Sequence, residues 1–245
     1  MRQHIRRMWA QIQRTRAGIR QTQAGILRRL CYNGGREQGQ GERRRAMVNE
    51  EQRLVEAGQR GEVEAFNQLV QHYEGRIYNL CYRMLGDPDT AADAAQETFI
   101  AAYRNLNRFR GGLFRSWLFR IATNACYDVM RARKRRPSVS LSNVGDPDDD
   151  AAAFDLPDLG ESPDEMVLRR ELAAAIQHCI AQLPAEQRLV VILSDIQGLA
   201  YEEIAEVTHT NLGTVKSRLS RARARLRTML RAGELLPSQF RHSDE

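Results

Sequence analysis

Apolar residues in this 245-residue chain recur at three- and four-residue steps, and no convincing strict alternation appears. Phe66, Leu69, Val70, Tyr73, Ile77, Leu80, Cys81 and Leu85 mark one such stripe, and Val215, Leu219, Ala222 and Leu226 mark another. That spacing puts each set on one face of a helix and excludes a sheet as the organising element. Between the stripes lies 137–165, which has no Lys or Arg and is rich in acid, proline and glycine ("GDPDDD", "DLPDLGESPDE"). Such a segment cannot bury enough apolar surface to pack, so it reads as a flexible acidic linker. The expected fold is all-α, with two small helical domains joined by that linker.

The boundaries follow from composition. Residues 1–46 carry twelve arginines (2, 6, 7, 14, 16, 20, 28, 29, 36, 43, 44 and 45) against Glu37 and Glu42. Ile5, Ile12, Ile19 and Ile26 keep a seven-residue repeat, but the second seam is polar and a coiled coil is not expected. The stretch reads as a basic, disordered or spuriously translated extension before Met47, or else as a basic arm that adds nonspecific DNA affinity. The first compact domain then spans 47–136 and the second 166–232, followed by a tail at 233–245. Four helices are expected in each domain, with "GDPDT" punctuating the first: Gly86 stops a helix, Asp87 caps the next, and Pro88 opens it.

No apolar run approaches the roughly 20 residues needed to cross a bilayer, so membrane insertion is not expected. Cys31, Cys81, Cys126 and Cys179 form no CxxC pair and the five histidines are scattered, so no metal site and no cofactor are expected. The cysteines read as reduced and the location as cytoplasmic. A formal charge of +6 leaves room for a polyanionic partner, and its distribution says where.

The segment "LGTVKSRLSRARARLR" opposes its apolar stripe with the small residues Ser217, Ser220 and Ala224. Lys216, Arg223 and Arg227 flank them on one edge, and Arg218, Arg221 and Arg225 on the other. No acid occurs from Gly213 to Gly233, so the cations lack the four-residue pairing that a solvated helix generally has. Short side chains facing a groove floor, with cations reaching phosphates on both sides, suit the DNA major groove. "YEEIAEVTHTNLGTV" just before it has helix-turn-helix form, with Ile204, Ala205 and Val207 turned inward.

The first domain carries a second and a third surface. In "DAAQETFIAAYRNL", Ala95, Phe99, Ala102 and Leu106 form the buried stripe, while Asp93, Gln96, Glu97 and Ile100 face outward. Asp93 and Glu97 are like charges four apart, a destabilising pair that a basic partner surface would relieve. In "LFRSWLFRIATNACYDVMRARKRR" the inner stripe is Leu118, Ala122, Ala125 and Val129, and Arg120, Thr123, Asn124, Tyr127, Arg131 and Lys134 face out. Phe109 and Trp117 are flat surfaces on which unstacked bases could lie, or core aromatics.

These segments resemble the bacterial sigma-70 family, specifically its extracytoplasmic-function group. "AEQRLVVILSDIQGLAYEEIAEVTHTNLGTVKSRLSRARARL" looks like region 4, with Asn211 where that group often has proline. "DAAQETFIAAYRNL" resembles region 2.2, and "SWLFRIATNACYD" matches the "SWLxRIAxNxxxD" signature of regions 2.3 and 2.4. The resemblance implies a promoter-specificity subunit and not an enzyme. Core RNA polymerase would dock on Asp93, Gln96, Glu97 and Ile100. The melted minus-ten strand would be held by Asn107, Phe109, Arg110, Trp117, Arg120, Asn124, Tyr127 and Arg131. The minus-thirty-five duplex would be read by Thr214, Lys216, Ser217, Arg218, Ser220 and Arg221. It also implies an anti-sigma partner, and a linker that enters the polymerase channel as an RNA mimic, against which stands an ordinary solvated tether. The competing functions are a helix-turn-helix regulator acting on duplex DNA alone and, more remotely, a recombinase. The latter needs a supported nucleophile, and Ser116 is the only serine from Asn49 to Arg136.

Overall fold

A computed structural model of the chain describes residues 41–135 and 173–232, all of them helices and short connections. The expectations for 1–40, for the linker at 137–165 and for the tail at 233–245 lie outside the described residues.

The first domain is built from α1 (Gly41–Gln59), α2 (Val63–Leu85), α3 (Pro88–Asn105), a 3-10 turn (Leu106–Arg108) and α4 (Phe114–Arg135). Helix α1 begins six residues before Met47, so the composition boundary is not a break in backbone structure. The "GDPDT" punctuation works as its chemistry dictates. Gly86 ends α2 at φ 77°, a left-handed conformation, and its N–H closes onto the Tyr82 carbonyl. Asp87 then accepts the Thr90 N–H at 2.8 Å, and Pro88 opens α3. The Thr90 hydroxyl also donates to this carboxylate, and that bond together with the Thr90 N–H holds the Asp87 carboxyl below its ordinary pKa.

Helix α2 is the centre of this domain, burying Phe66, Leu69, Val70, Tyr73, Ile77, Leu80 and Cys81 against its neighbours. Gly58 lets α1 pass close to the 3-10 turn, since a Cβ there would stand 2.8 Å from Leu106 Cδ2. The Cys81 and Cys126 thiols, on α2 and α4, hydrogen-bond inside the core, and that bond and burial push the Cys81 thiol well above its ordinary range.

The second domain contains α5 (173–181), α6 (Ala185–Val191), a π turn (Ile192–Ile196), α7 (Tyr201–Thr208) and α8 (Leu212–Ala232). At the π turn the Gln197 N–H reaches back five residues to the Ile192 carbonyl at 2.9 Å. The stripe of α8 is buried as its spacing requires, with Val215 and Ala222 fully so, and Leu230 extends it. On α7, Ile204 and Val207 are buried and Ala205 is half-buried.

The two domains pack against each other, which periodicity did not foretell. Helix α7 lies along α4, and α6 touches α2 less closely. Arg115 of α4 binds Glu203 of α7, Nε to Oε1 at 3.0 Å, while the other Glu203 oxygen accepts the Ala200 N–H at 2.7 Å. Arg76 donates to the Gln197 carbonyl at 2.8 Å and stands 5.3 Å from the Phe119 ring centroid. Arg188 reaches the Met84 carbonyl at 2.7 Å. Covered on two sides, α4 buries Leu118 and Ala122 of the expected stripe together with Phe119, Thr123 and Cys126, while Ala125 and Val129 are only half-buried. Thr123 is thus not outward as its position on the helical wheel suggests, and its hydroxyl bonds the Phe119 carbonyl at 2.8 Å.

Candidate nucleic-acid and polymerase-binding surfaces

Helix α3 turns Ala91, Ala94, Ala95, Thr98, Phe99 and Ala102 inward, which fixes its outer face. Asp93 and Glu97 are exposed on that face, and Gln96 and Ile100 are half-buried beside them. One helix therefore brings the four residues together as an acidic patch with an apolar edge.

The second surface is the 107–113 loop with α4. Gly111 and Gly112 both take positive φ, 101° and 88°, a conformation open to glycine without a Cβ penalty, and both are exposed. The loop is braced from α1: Gln59 Nε2 donates to the Leu106 carbonyl at 3.0 Å and to the Phe109 carbonyl at 2.9 Å. Gln59 lies some 50 positions upstream, and nothing in the local sequence marks it. Under the loop, Phe109 stands edge-on to Phe114 at 5.9 Å and tilted against Trp117 at 5.3 Å. Phe109 is only 7% exposed, so in this arrangement its ring supports the loop and offers no face to a base. Trp117 is half-buried at the edge of this cluster.

Asn107, Arg110, Asn124 and Arg131 are exposed, and Arg120 is half-buried. Arg131 pairs with Asp128 one turn earlier, an acid that helical-wheel reasoning about the cations alone overlooks. Tyr127 is set apart from the others because it turns towards the second domain. Burial raises its phenol pKa, and after burial the largest influence is Glu186 of α6, with Arg218 of α8 opposing it.

The third surface is the N-terminal half of α8. Asn211 caps it, its Oδ1 accepting the Thr214 N–H at 2.7 Å, so the residue standing where proline is common makes a hydrogen bond that proline could not. Lys216, Ser217, Ser220 and Arg221 are exposed, and Thr214 is half-buried at the cap. Arg221 folds back onto Ser217, Nε to the carbonyl at 3.2 Å, and so stays over the small-residue face. Arg218 is only 20% exposed and pairs with Glu186, and Arg225 donates to Gln187 at 3.2 Å. Two cations on one edge are therefore held by the start of α6. His209 makes the turn between α7 and α8 at φ 50°, a left-handed conformation for a residue with a Cβ.

Among the described residues no cluster of His, Cys, Asp and Glu could hold a metal ion, and no helix is long and apolar enough to cross a membrane.

Comparison with known proteins matches two family models to the chain. The family model for sigma-70 region 2 matches 69–136, and that for sigma-70 region 4 matches 173–226. The chain is 42% identical over 175 residues to the RNA polymerase sigma-H factor of Pseudomonas aeruginosa, covering 71% of this chain and 90% of that protein. It is 40% identical over 174 residues to the ECF sigma factor SigW of Bacillus subtilis, covering 70% and 92%. Among solved structures, CnrH in complex with the cytosolic domain of CnrY superposes with a TM-score of 0.54 at 29% identity, over 75% of this chain and 98% of that one. RpoE from Bartonella quintana, in complex with the anti-sigma factor NepR, gives 0.53 at 27% identity, over 68% and 96%. The chain belongs to the extracytoplasmic-function group of the sigma-70 family of RNA polymerase sigma factors.

Proposed function

We propose that this sigma factor directs core RNA polymerase to promoters through three separate surfaces. Asp93, Gln96, Glu97 and Ile100 on α3 dock the polymerase. The 107–113 loop with Trp117, Arg120, Asn124, Tyr127 and Arg131 holds the melted minus-ten strand, and Thr214, Lys216, Ser217, Ser220 and Arg221 read the minus-thirty-five duplex. The chain acts by binding and the chemistry of RNA synthesis belongs to the polymerase, so its place of work is the cytoplasm. Strand opening then draws its free energy from bases captured by the loop and α4, because stacking and polar contacts to unstacked bases are absent from the duplex.

The observation that carries this reading is the joint presence of the acidic α3 face and the basic, small-residue face of α8 on one chain. A duplex-only regulator needs the second and has no use for the first. The arrangement also sets a condition for function. Elements centred about 25 base pairs apart lie ~85 Å apart along B-DNA, at about 34 Å per ten pairs. Helix α4 packs against α7 here, with Arg115 Nε 3.0 Å from Glu203, so the two DNA surfaces cannot both sit on their elements until the domains part. An anti-sigma partner that keeps them together would hold the factor inactive.

The test is transcription from a genomic promoter library by purified core polymerase with the intact chain or with Glu97→Lys. The intact chain should direct initiation at defined promoters, and Glu97→Lys should lose initiation while keeping duplex binding. Duplex binding by the intact chain without initiation at any promoter would overturn the proposal.

A further inference from the structure

Arg223 belongs, by its position on the helical wheel, to the basic edge of α8, yet the fold removes it from that edge. Its Nε donates to Asp195 Oδ2 at 3.0 Å, one Nη donates to the other oxygen of the same carboxylate, and that Nη also reaches Ser194 Oγ at 3.3 Å. The Asp195 side chain is 1% exposed and that of Arg223 27%. The π turn makes this possible, because a residue added to one helical turn rotates Ser194 and Asp195 inward towards α8. A planar fork binding both oxygens of a buried carboxylate fixes direction as well as distance.

The clamp joins the π turn after α6 to α8, the helix that follows α7 in the helix-turn-helix. On α8 it lies about 16 Å along the axis from Leu212, at ~1.5 Å per residue. The Asn211 cap holds the other end, so Ser217, Ser220 and Arg221 ride on a helix fixed at two points. We infer that Arg223 is a positioning residue for promoter reading: with Asp195 it sets the angle at which α8 enters the groove, and it makes no phosphate contact itself. This rests on reading α8 as the duplex-reading helix.

The experiment selects duplexes from a random pool with the full-length chain, then compares affinity for the selected and a scrambled duplex across a salt series. Four variants are measured: Arg221→Gln, Arg223→Lys, Asp195→Asn, and the double variant Asp195→Leu with Arg223→Met. The double variant removes both charges at once and so avoids stranding one in the core, and circular dichroism checks its fold. Arg221→Gln should flatten the log–log salt dependence by about 0.9, the value for one phosphate that is no longer neutralised. The double variant should leave that slope unchanged although an arginine is gone, and should lower the selected-to-scrambled affinity ratio at least tenfold. Arg223→Lys should lose the ratio too, since a point charge cannot bind both carboxylate oxygens. Asp195→Asn should lose the ratio with a slope equal to or steeper than that of the parent, its arginine having been released towards the DNA.

A slope flattened by about 0.9 in the double variant, or a ratio restored by Arg223→Lys, would make Arg223 a phosphate contact and overturn the inference. So would an unchanged ratio in the double variant. If the parent chain selects no duplex and Arg221→Gln changes nothing, the reading of α8 itself fails, a result distinct from failure of the clamp.

Discussion

The α4 surface and the α8 surface solve opposite problems. The α8 face is open and mostly charge: its apolar stripe is underneath, and Lys216, Ser217, Ser220 and Arg221 meet solvent. The α4 surface is built over an aromatic cluster, braced by Gln59 from α1, and flanked by α7 of the other domain. A duplex is a regular, highly charged rod, so an exposed cationic helix is ready for it without further assembly. An unstacked strand has no such regularity, and holding it takes rigid, largely apolar surfaces that must themselves be packed in place. The difference predicts that the two surfaces fail in different ways.

The largest effect is expected from Phe119→Ala. Phe119 is fully buried where α4, Arg76 and the second domain meet, and losing the ring should cost about 3–5 kcal/mol in thermal or denaturant unfolding. Binding to melted minus-ten strand should disappear while binding to minus-thirty-five duplex persists. Parallel loss of both would show that the domains fold as one unit and would break the comparison.

Next comes Glu203→Gln, which uncouples the domains without touching either surface. Glu203 is 7% exposed and takes the Arg115 guanidinium, and losing a hydrogen bond to a charged group costs about 1.5–3 kcal/mol. Spin labels on α3 and α8 should report a longer distance in this variant than in the parent, and an unchanged distance would mean that apolar packing alone holds α7 to α4.

The two helix caps give a matched, smaller pair. Asp87→Ala and Asn211→Ala should each cost about 1 kcal/mol, the first in the domain that carries α4 and the second at the start of α8. Only Asn211→Ala should weaken duplex reading. The two also differ in pH dependence. The Asp87 carboxyl has its pKa lowered in the folded chain by the Thr90 hydrogen bonds, so its contribution is present above the unfolded carboxylate pKa and fades as pH falls through the folded value. Acid unfolding should therefore lose sensitivity to Asp87→Ala, whereas the neutral Asn211 cap should act equally at both pH values.

The smallest effect separates the two kinds of nucleic acid. Lys216→Ala should flatten the salt dependence of duplex binding by about 0.9, and Arg131→Ala that of single-strand binding by about 0.7. Each should leave the other slope unchanged. Arg131 starts from an exposed pair with Asp128, so part of its charge is already answered and its slope change should fall at or below that value.

What could be read from the chain in advance was whatever depends on neighbours in sequence. The stripes of α2, α3 and α8, the Gly86 stop, the Asp87 cap and the outward face of Asp93 and Glu97 all follow from helical spacing or from groups within four residues of one another. The sigma-like segments were legible for the same reason, since "SWLFRIATNACYD" and the helix-turn-helix are each contiguous. Pairings across long separations were not legible. Gln59 meets the Phe109 carbonyl 50 residues away, Arg76 meets Gln197 across 121, and Arg115 meets Glu203 across 88. Phe109 looked at least as available to a base as Trp117, and only the fold separates them, burying Phe109 and leaving Trp117 half-buried.

The arginines of α8 show the division most clearly. By itself the sequence determined that this helix is basic, that it hides Val215, Leu219, Ala222 and Leu226, and that small residues face the other way, because these follow from a turn of about 100° per residue. Which of its cations the fold engages was decided by tertiary structure alone. Glu186 takes Arg218, Gln187 takes Arg225, and the π turn delivers Asp195 to Arg223. A guanidinium binds whichever acceptor the fold brings within reach, and that depends on how helices cross, which no single helix encodes.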